Sequence, residues 1–331
     1  MKLLKLPYLI QQEILKSMTI EETFFLSFTS KHLLNLIKSF KWEVTGVLFV
    51  FGTNAFGVRF ETLKTQFFQN CNKIVFFVDE FPRVICQHTT YDSRQIMEFC
   101  YQSEGPVPVQ LQKHIFDLFI KNSNLKLTIS IFDFKYYHWI PMVKRARFHD
   151  APILVKKLEE FIGSHENLEC LMVDVRMVGD FSIESRIFEI PYVFLCEQSF
   201  PITEFLKKFK GKCLSFHFSS DSISERMIRD FIEKWLRGDY NENLKYVRFA
   251  HNIRFNENWI LERIRPVLRP WDRTEVAKKI PYLEEAEYYF GITCSDFETS
   301  GKGTFIIRES DNKKGIIQVK NNVFNFCVMG E

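Results

Sequence analysis

Five short apolar runs constrain this chain most: IVFFV at Ile74–Val78, LTISIF at Leu127–Phe132, LMVDV at Leu171–Val175, LSFHF at Leu214–Phe218 and YVRF at Tyr246–Phe249. Each is short and rich in β-branched or aromatic residues, the signature of a strand. Amphipathic helical runs lie between them, with Ile115, Phe116 and Phe119 on one apolar face, Leu154, Leu158, Phe161 and Ile162 on a second, and Ile228, Phe231, Ile232 and Trp235 on a third. Alternating strands and helices imply an α/β fold. A further strand is expected over Trp42–Phe51, ending at Gly52-Thr53-Asn54.

Three strands are introduced by the same pair, Asn124-Leu125, Asn167-Leu168 and Asn243-Leu244, each after a helix. Asparagine tolerates the left-handed conformation that ends a helix, and the leucine starts a spacing like LxxLxL. This is the logic of a leucine-rich repeat. The intervals between expected strands exceed the usual ~20 to 29 residues, so the reading is a degenerate, curved α/β array. An ordinary open α/β sheet gives the same alternation.

The LxxLxL register divides each strand into two faces. Leu171, Val173, Leu214, Phe216, Phe218, Val247 and Phe249 point inward. Met172, Asp174, Arg176, Ser215, His217, Tyr246 and Arg248 are then expected to project together as one exposed recognition row. The tail is expected to be a meander of Thr304–Arg308, Gly315–Lys320 and Val323–Val328, turning at Asp311-Asn312 and Asn321-Asn322. Its last strand should close the array, with Phe324, Phe326 and Val328 on the buried side.

The first 40 residues differ in kind. Leu6-Pro7 opens a helix in which Ile10, Ile14, Leu15 and Met18 share a face, while Gln11, Gln12, Glu13 and Lys16 lie mostly on the other. Thr19 and Glu22 form a capping box for a second helix carrying Phe24, Phe25 and Phe28. Ser30 can cap a third, with Leu33, Leu34, Leu36 and Ile37. Three such helices bury too little surface to be stable alone.

The string LPYLIQQEILKSMTIEETFFLSFTSKHLLNLIK resembles the F-box, in the form found in nematode F-box proteins, over roughly a tenth of the chain. Leu6, Pro7, Ile10, Ile14, Leu15, Glu22, Leu26, Ser27 and the Ser30-Lys31 pair carry the likeness. Tyr8 departs from the acidic residue that commonly follows Leu-Pro, and Leu33 stands where many members have tryptophan. The resemblance implies docking onto a Skp-type adaptor, and through it a cullin, by Leu6, Pro7, Ile10, Ile14 and Leu15. From Ile228, the string IRDFIEKWLRGDYNENLKYVRF resembles the F-box-associated domain, type 2, and the tail from Gly301 looks like that domain's last strands. The domains expected are therefore an F-box-like module over 1–40 and an array over 41–331, whose part from about 184 resembles the associated domain.

Together the two resemblances imply the substrate-recognition subunit of a Skp-cullin-F-box ubiquitin ligase, non-catalytic, holding a target protein on the exposed row. An interaction protein that binds the adaptor without a ligase is the alternative. Composition fits a globular protein: 46% of residues are hydrophobic and 26% charged. A net charge of +3 lacks the concentrated basic face of a nucleic-acid binder. A nucleic-acid reading rests on Arg263, Arg265, Arg269, Trp271 and Arg273, and a helix end broken by Pro266 and Pro270 explains them as well.

No GxSxG, HExxH, GxxxxGK[ST] or GxGxxG motif occurs. Gly301-Lys302-Gly303-Thr304 precedes a strand and is read as a turn. Cys86, His88 and Cys100 lack the patterned spacing of a metal site, and the eight cysteines show no disulfide framework. No cofactor is expected. Pro7 and Gln11-Gln12-Glu13 interrupt any signal-like apolar run, so an intracellular compartment, cytoplasmic or nuclear, is expected.

Overall fold

The structure is a computed structural model. It describes residues 3–40, 42, 44–52, 55–62, 74–76, 84–91, 94–100, 107–119, 126–149, 151–196, 202–218, 225–240, 242–262, 264–270 and 304–329. The chain divides into two compact units, Met1–Arg145 and Ala146–Glu331. The boundary expected after residue 40 falls inside the first unit.

In the first unit, a 3-10 turn (Leu3–Lys5) leads into α1 (Tyr8–Ser17), α2 (Ile20–Ser27) and α3 (Lys31–Lys38). The capping box is present, with Glu22 N donating to Thr19 Oγ1 at 3.1 Å and Thr19 N to Glu22 Oε2 at 2.8 Å. Ser30 caps α3 by accepting from Leu33 N at 3.2 Å. Strands β1 (Val44–Gly52), β2 (Ala55–Thr62), β3 (Ile74–Phe76), β4 (Val84–Tyr91) and β5 (Arg94–Cys100) follow, then α4 (Val107–Phe119) and β6 (Lys126–Ile131). Their order across the sheet is β3-β4-β5-β2-β1-β6. Among the described residues every neighbouring pair in it is antiparallel except β1–β6, which is parallel.

This corrects the expected fold, which put antiparallel strands only at the C-terminal end. Strands β2, β4 and β5 interleave polar with apolar residues, as in VICQHTTY, so none of them contains a continuous apolar run. Central β1 buries Val47, Leu48, Phe49, Val50 and Phe51 on both faces, as a strand enclosed by neighbours does.

β7 (Val143–Phe148) spans the division. In the second unit, β8 (Ile153–Leu154), α5 (Val155–Ser164), β9 (Cys170–Val173), β10 (Met177–Val178), β11 (Tyr192–Cys196), α6 (Ile202–Lys208), β12 (Cys213–Phe218), α7 (Glu225–Arg237), β13 (Tyr246–His251) and α8 (Glu257–Leu261) follow in turn. β14 (Arg269–Pro270), β15 (Thr304–Ile307), β16 (Lys314–Lys320) and β17 (Val323–Val328) complete it. The sheet order is β9-β11-β12-β13-β17-β16-β15-β14, and β8 pairs β10 separately. Strands β9, β11, β12 and β13 are parallel and adjacent in chain order. From β17 onward the pairing is antiparallel.

Strand β11, YVFLC, has no Asn-Leu pair before it and is absent from the sequence reading. With it included, the parallel strands start at Cys170, Tyr192, Cys213 and Tyr246, steps of 22, 21 and 33 residues. Neither Asn167 nor Asn243 adopts the left-handed conformation expected of them. Gly238 does so after α7, at φ 81°, where a residue without Cβ has no steric cost. The tail turns do use left-handed asparagines, Asn312 at φ 57° and Asn321 at φ 54°. Asn124-Leu125 lies outside the described residues, as do Val78 of the first expected strand and Gly301–Gly303.

Helices cover one face of the second sheet. Phe205 meets Phe216 edge-on at 5.8 Å, Phe231 meets Phe249 at 5.9 Å and Phe326 at 5.2 Å, and Trp235 meets Phe326 at 4.9 Å. Gly315 is held to glycine here, because a Cβ on it would sit 2.6 Å from the Phe326 ring and 3.0 Å from Trp235. The expected inward face of β17, Phe324, Phe326 and Val328, is buried.

Candidate functional site

The N-terminal helices present apolar side chains to the outside. Leu9 is 73% exposed, Tyr8 53%, Ile10 48% and Leu4 45%. A ten-residue helix turns only a narrow stripe inward, and in α1 that stripe holds Leu15, 0% exposed, and Gln11. Gln11 reverses its expected place on the polar face. Its Nε2 donates to Leu6 O at 2.7 Å, closing the entry to the helix and satisfying the amide. Leu15 is likewise corrected: it is interior, not an open contact point. Of the other expected docking residues, Pro7 and Ile10 are exposed and Leu6 and Ile14 half-buried. Leu9 was missed, because next to Ile10 it falls off the i, i+4 stripe that marks an inward face.

Within the first unit these helices are anchored by buried contacts. Phe24, fully buried, lies 6.0 Å from Phe60 and 5.8 Å from the His114 ring. Ser27 Oγ stands 2.6 Å from His114 Nε2 and donates its one proton to Phe24 O. The contact ties the imidazole to α2. Burial, helped by nearby Lys38, pushes the His114 pKa down to about 4, keeping the ring neutral. Phe28 stacks on the same imidazole at 4.2 Å, and Trp42 Nε1 donates to Ile37 O at 3.0 Å.

The second unit holds the expected recognition row, and the structure divides it. Asp174, Arg176 and His217 are exposed and Arg248 is half-buried. Tyr246 at 0%, Ser215 at 1% and Met172 are buried, which corrects their expected projection into solvent. Parallel sheets are commonly covered on both faces, and strand alternation alone cannot show this. Tyr246 Oη donates to Asn325 Oδ1 at 2.9 Å, and Asn325 Nδ2 donates to Gln318 Oε1 at 3.1 Å, a buried chain of amides and phenol across three strands. Arg147 Nη2 holds Asp174 Oδ2 at 3.2 Å, and Cys196 Sγ donates to Asp174 Oδ1 at 3.1 Å. Those two bonds, with the Arg147 charge, outweigh desolvation and lower the Asp174 pKa.

Cys170, Cys196, Cys213 and Cys327 are buried thiols outside any disulfide, and burial pushes the Cys213 thiol up, away from the reactive thiolate. Among the described residues no group of three or more His, Cys, Asp or Glu is placed to hold a metal ion, and no helix is long and apolar enough to cross a membrane. The side chains of Cys86, His88 and Cys100 lie outside those described. So do Arg263, Trp271 and Arg273 of the basic stretch, while Arg265 and Arg269 are exposed.

No curated protein and no solved structure matches this chain. The family model of the F-box domain does match, over residues 3–44. F-box domains in general bind Skp-type adaptors, and F-box proteins are in general non-catalytic ligase subunits. An F-box domain therefore occupies residues 3–44 of this chain, taking in α1, α2, α3 and the first residue of β1.

Proposed function

We propose that the chain is the substrate-recognition subunit of a Skp-cullin-F-box ubiquitin ligase, in which the F-box docks a Skp-type adaptor and the rest of the chain holds a target for ubiquitin-dependent degradation. One observation carries the reading: the F-box domain over residues 3–44 leaves Leu4, Tyr8, Leu9 and Ile10 exposed. Exposed contiguous apolar side chains mark interaction sites, and an adaptor groove that takes helix faces would remove them from water. Pro7 is exposed as well, and Leu6 and Ile14 are half-buried.

The parallel strands β9, β11, β12 and β13, in chain order with helices on one face, support the leucine-rich-repeat-like reading of the second unit. The steps of 22 and 21 residues fit the usual repeat length, which the sequence alone did not. The likeness of residues from Ile228 onward to the F-box-associated domain, type 2, and of the F-box to the nematode form, belongs to the same proposal. Target contact is assigned to the accessible members of the recognition row, Asp174, Arg176, His217 and Arg248. An intracellular site of action, in cytoplasm or nucleus, follows from the proposed partners.

Calorimetric titration of the full chain with a Skp-type adaptor tests the reading. Leu9→Asp combined with Ile10→Asp abolishes binding while the unfolding transition is retained. Equal binding by parent and double variant would sink the docking assignment.

A further inference from the structure

The segment between β6 and β7 carries an exposed tryptophan on a backbone that is pinned in place. Trp139 is 60% exposed, and among the described residues its indole makes no ring contact and no hydrogen bond. Its main chain is held from two sides. Gln112 Nε2 of α4 donates to Trp139 O at 3.1 Å, and Ile140 N donates to Tyr137 Oη at 3.4 Å. Ile140 is fully buried, and Asp133 caps the preceding 3-10 turn, Phe134–Tyr136, by accepting from Lys135 N at 2.9 Å. The ring is therefore presented by a loop already ordered before any contact.

The turn that follows is strained. Met142, directly after Pro141, has φ 58°, in the left-handed region that such a turn normally gives to glycine. Met142 is also 43% exposed, so much of the side chain that incurs the cost stays in water. Backbone strain of this kind collects at binding sites. Val109, one turn before Gln112 on α4, is exposed as well. These apolar side chains stand in basic surroundings. Along α4 and the chain from Lys126 to Arg145, Lys113, Lys126, Lys135, Lys144 and Arg145 outnumber Asp117 and Asp133. Asp117 is paired with Lys38 at 3.2 Å, and Asp133 is the cap of the 3-10 turn.

We infer that Trp139 and Met142 form a preformed docking point on the first unit for a segment of the target protein, one with an aromatic or aliphatic anchor between acidic residues. Trp139 offers the broad ring on which such an anchor packs, and Met142 fits its unbranched side chain to the anchor's shape. The surrounding lysines and Arg145 attract the flanking carboxylates. A loop ordered in advance lowers the entropy cost of the contact. That the segment belongs to a ubiquitination target rests on the function proposed above, whereas the docking point is tested without the adaptor.

Phage selection of a random library of peptides of about nine residues against the full chain, followed by fluorescence anisotropy of the labelled selected peptides, is the experiment. The selected peptides are expected to hold an aromatic or aliphatic residue among glutamates and aspartates, and to lose about tenfold or more in affinity with Trp139→Ala. Trp139→Phe, which keeps a smaller ring, should fall between. Lys135→Gln combined with Lys144→Gln should weaken binding and flatten its salt dependence. Met142→Gly removes the exposed side chain and relieves the left-handed strain, so it should weaken binding while raising the thermal midpoint. A lowered midpoint overturns the role given to Met142. Thermal unfolding of Trp139→Ala is expected to match the parent. Selected peptides without acidic residues, or held equally after Trp139→Ala, overturn the docking point. So does a single-stranded oligonucleotide bound more tightly than any peptide, or a dimer of the parent that Trp139→Ala abolishes, since the surface then serves nucleic acid or a second copy of the chain. Peptide held through Trp139 by a chain that binds no Skp-type adaptor overturns the ligase reading and leaves the docking point standing.

Discussion

The F-box helices and the sheet strands of the second unit break the simple burial pattern in opposite directions. In α1 the apolar residues Tyr8, Leu9 and Ile10 lie outside while Gln11 lies inside. In β12, β13, β16 and β17 the polar residues Ser215, Tyr246, Gln318 and Asn325 lie inside. The contrast shows what each region is suited to do. A helix that leaves apolar side chains in water gains stability by handing them to a partner, whereas a strand that buries a hydrogen-bonded phenol and amides fixes donors and acceptors in place for polar recognition.

The largest effect that can break this contrast lies in the F-box core. Phe24→Ala should cost about 3–5 kcal/mol in chemical denaturation, because a fully buried ring between Phe60 and His114 leaves a cavity. A cost below about 1 kcal/mol would mean that the F-box helices are an independent cap and not part of the first unit's core. Leu15→Asp should likewise act through unfolding, whereas Leu9→Asp should act on docking alone. Truncating Leu9 to alanine should weaken adaptor binding by about 1–2 kcal/mol with stability unchanged, read by calorimetry beside thermal melting. If Leu9→Ala instead unfolds the chain, the exposed stretch is structural.

Tyr246→Phe removes only the hydroxyl that Asn325 accepts from, and should destabilise the second unit by about 1–2 kcal/mol. A neutral outcome would show that the buried amide chain is dispensable. Thr19→Ala removes one half of the capping box and should cost about 1 kcal/mol in the first unit, with Thr19→Ser close to parent.

The last effect is absent at neutral pH and emerges on acidification. The folded pKa of His114, lowered by burial to about 4, lies below its unfolded value of 6.5. Between those two pH values the unfolded chain takes up the proton and the folded chain does not, so stability is lost as pH falls through that window and levels off below it. His114→Gln should flatten this part of the stability profile measured by denaturation across pH 4 to 7. A variant with the parent's slope would show that other groups set the acid limb.

Local chemistry was legible in the sequence wherever one or two neighbouring residues suffice. Thr19 with Glu22 and Ser30 with Leu33 form their caps within a single helical turn, and Asn312 and Asn321 turn the tail where a left-handed residue is needed. The apolar runs gave β1, β6, β9, β12 and β13, because β-branched and aromatic side chains favour extended backbone whatever surrounds them. The polar strands β2, β4 and β5 escaped, since their pairing comes from neighbours distant in the chain.

Which side of an element faces water was decided by the tertiary structure alone. Periodicity separates two faces of a helix or strand but is blind to whether a second layer covers the other one. Leu15 and Ile10 share an apolar character, yet only Leu15 meets the interior. Tyr246 and Arg248 share a strand face, yet Tyr246 finds Asn325, 79 residues away, and is drawn into the core, while Arg248 finds no such partner among the described residues. The sequence determined the elements, their caps and their alternation, because those depend on residues within a turn or two of each other. Burial, and with it the accessible part of both surfaces, depended on contacts between distant segments that only the folded chain assembles.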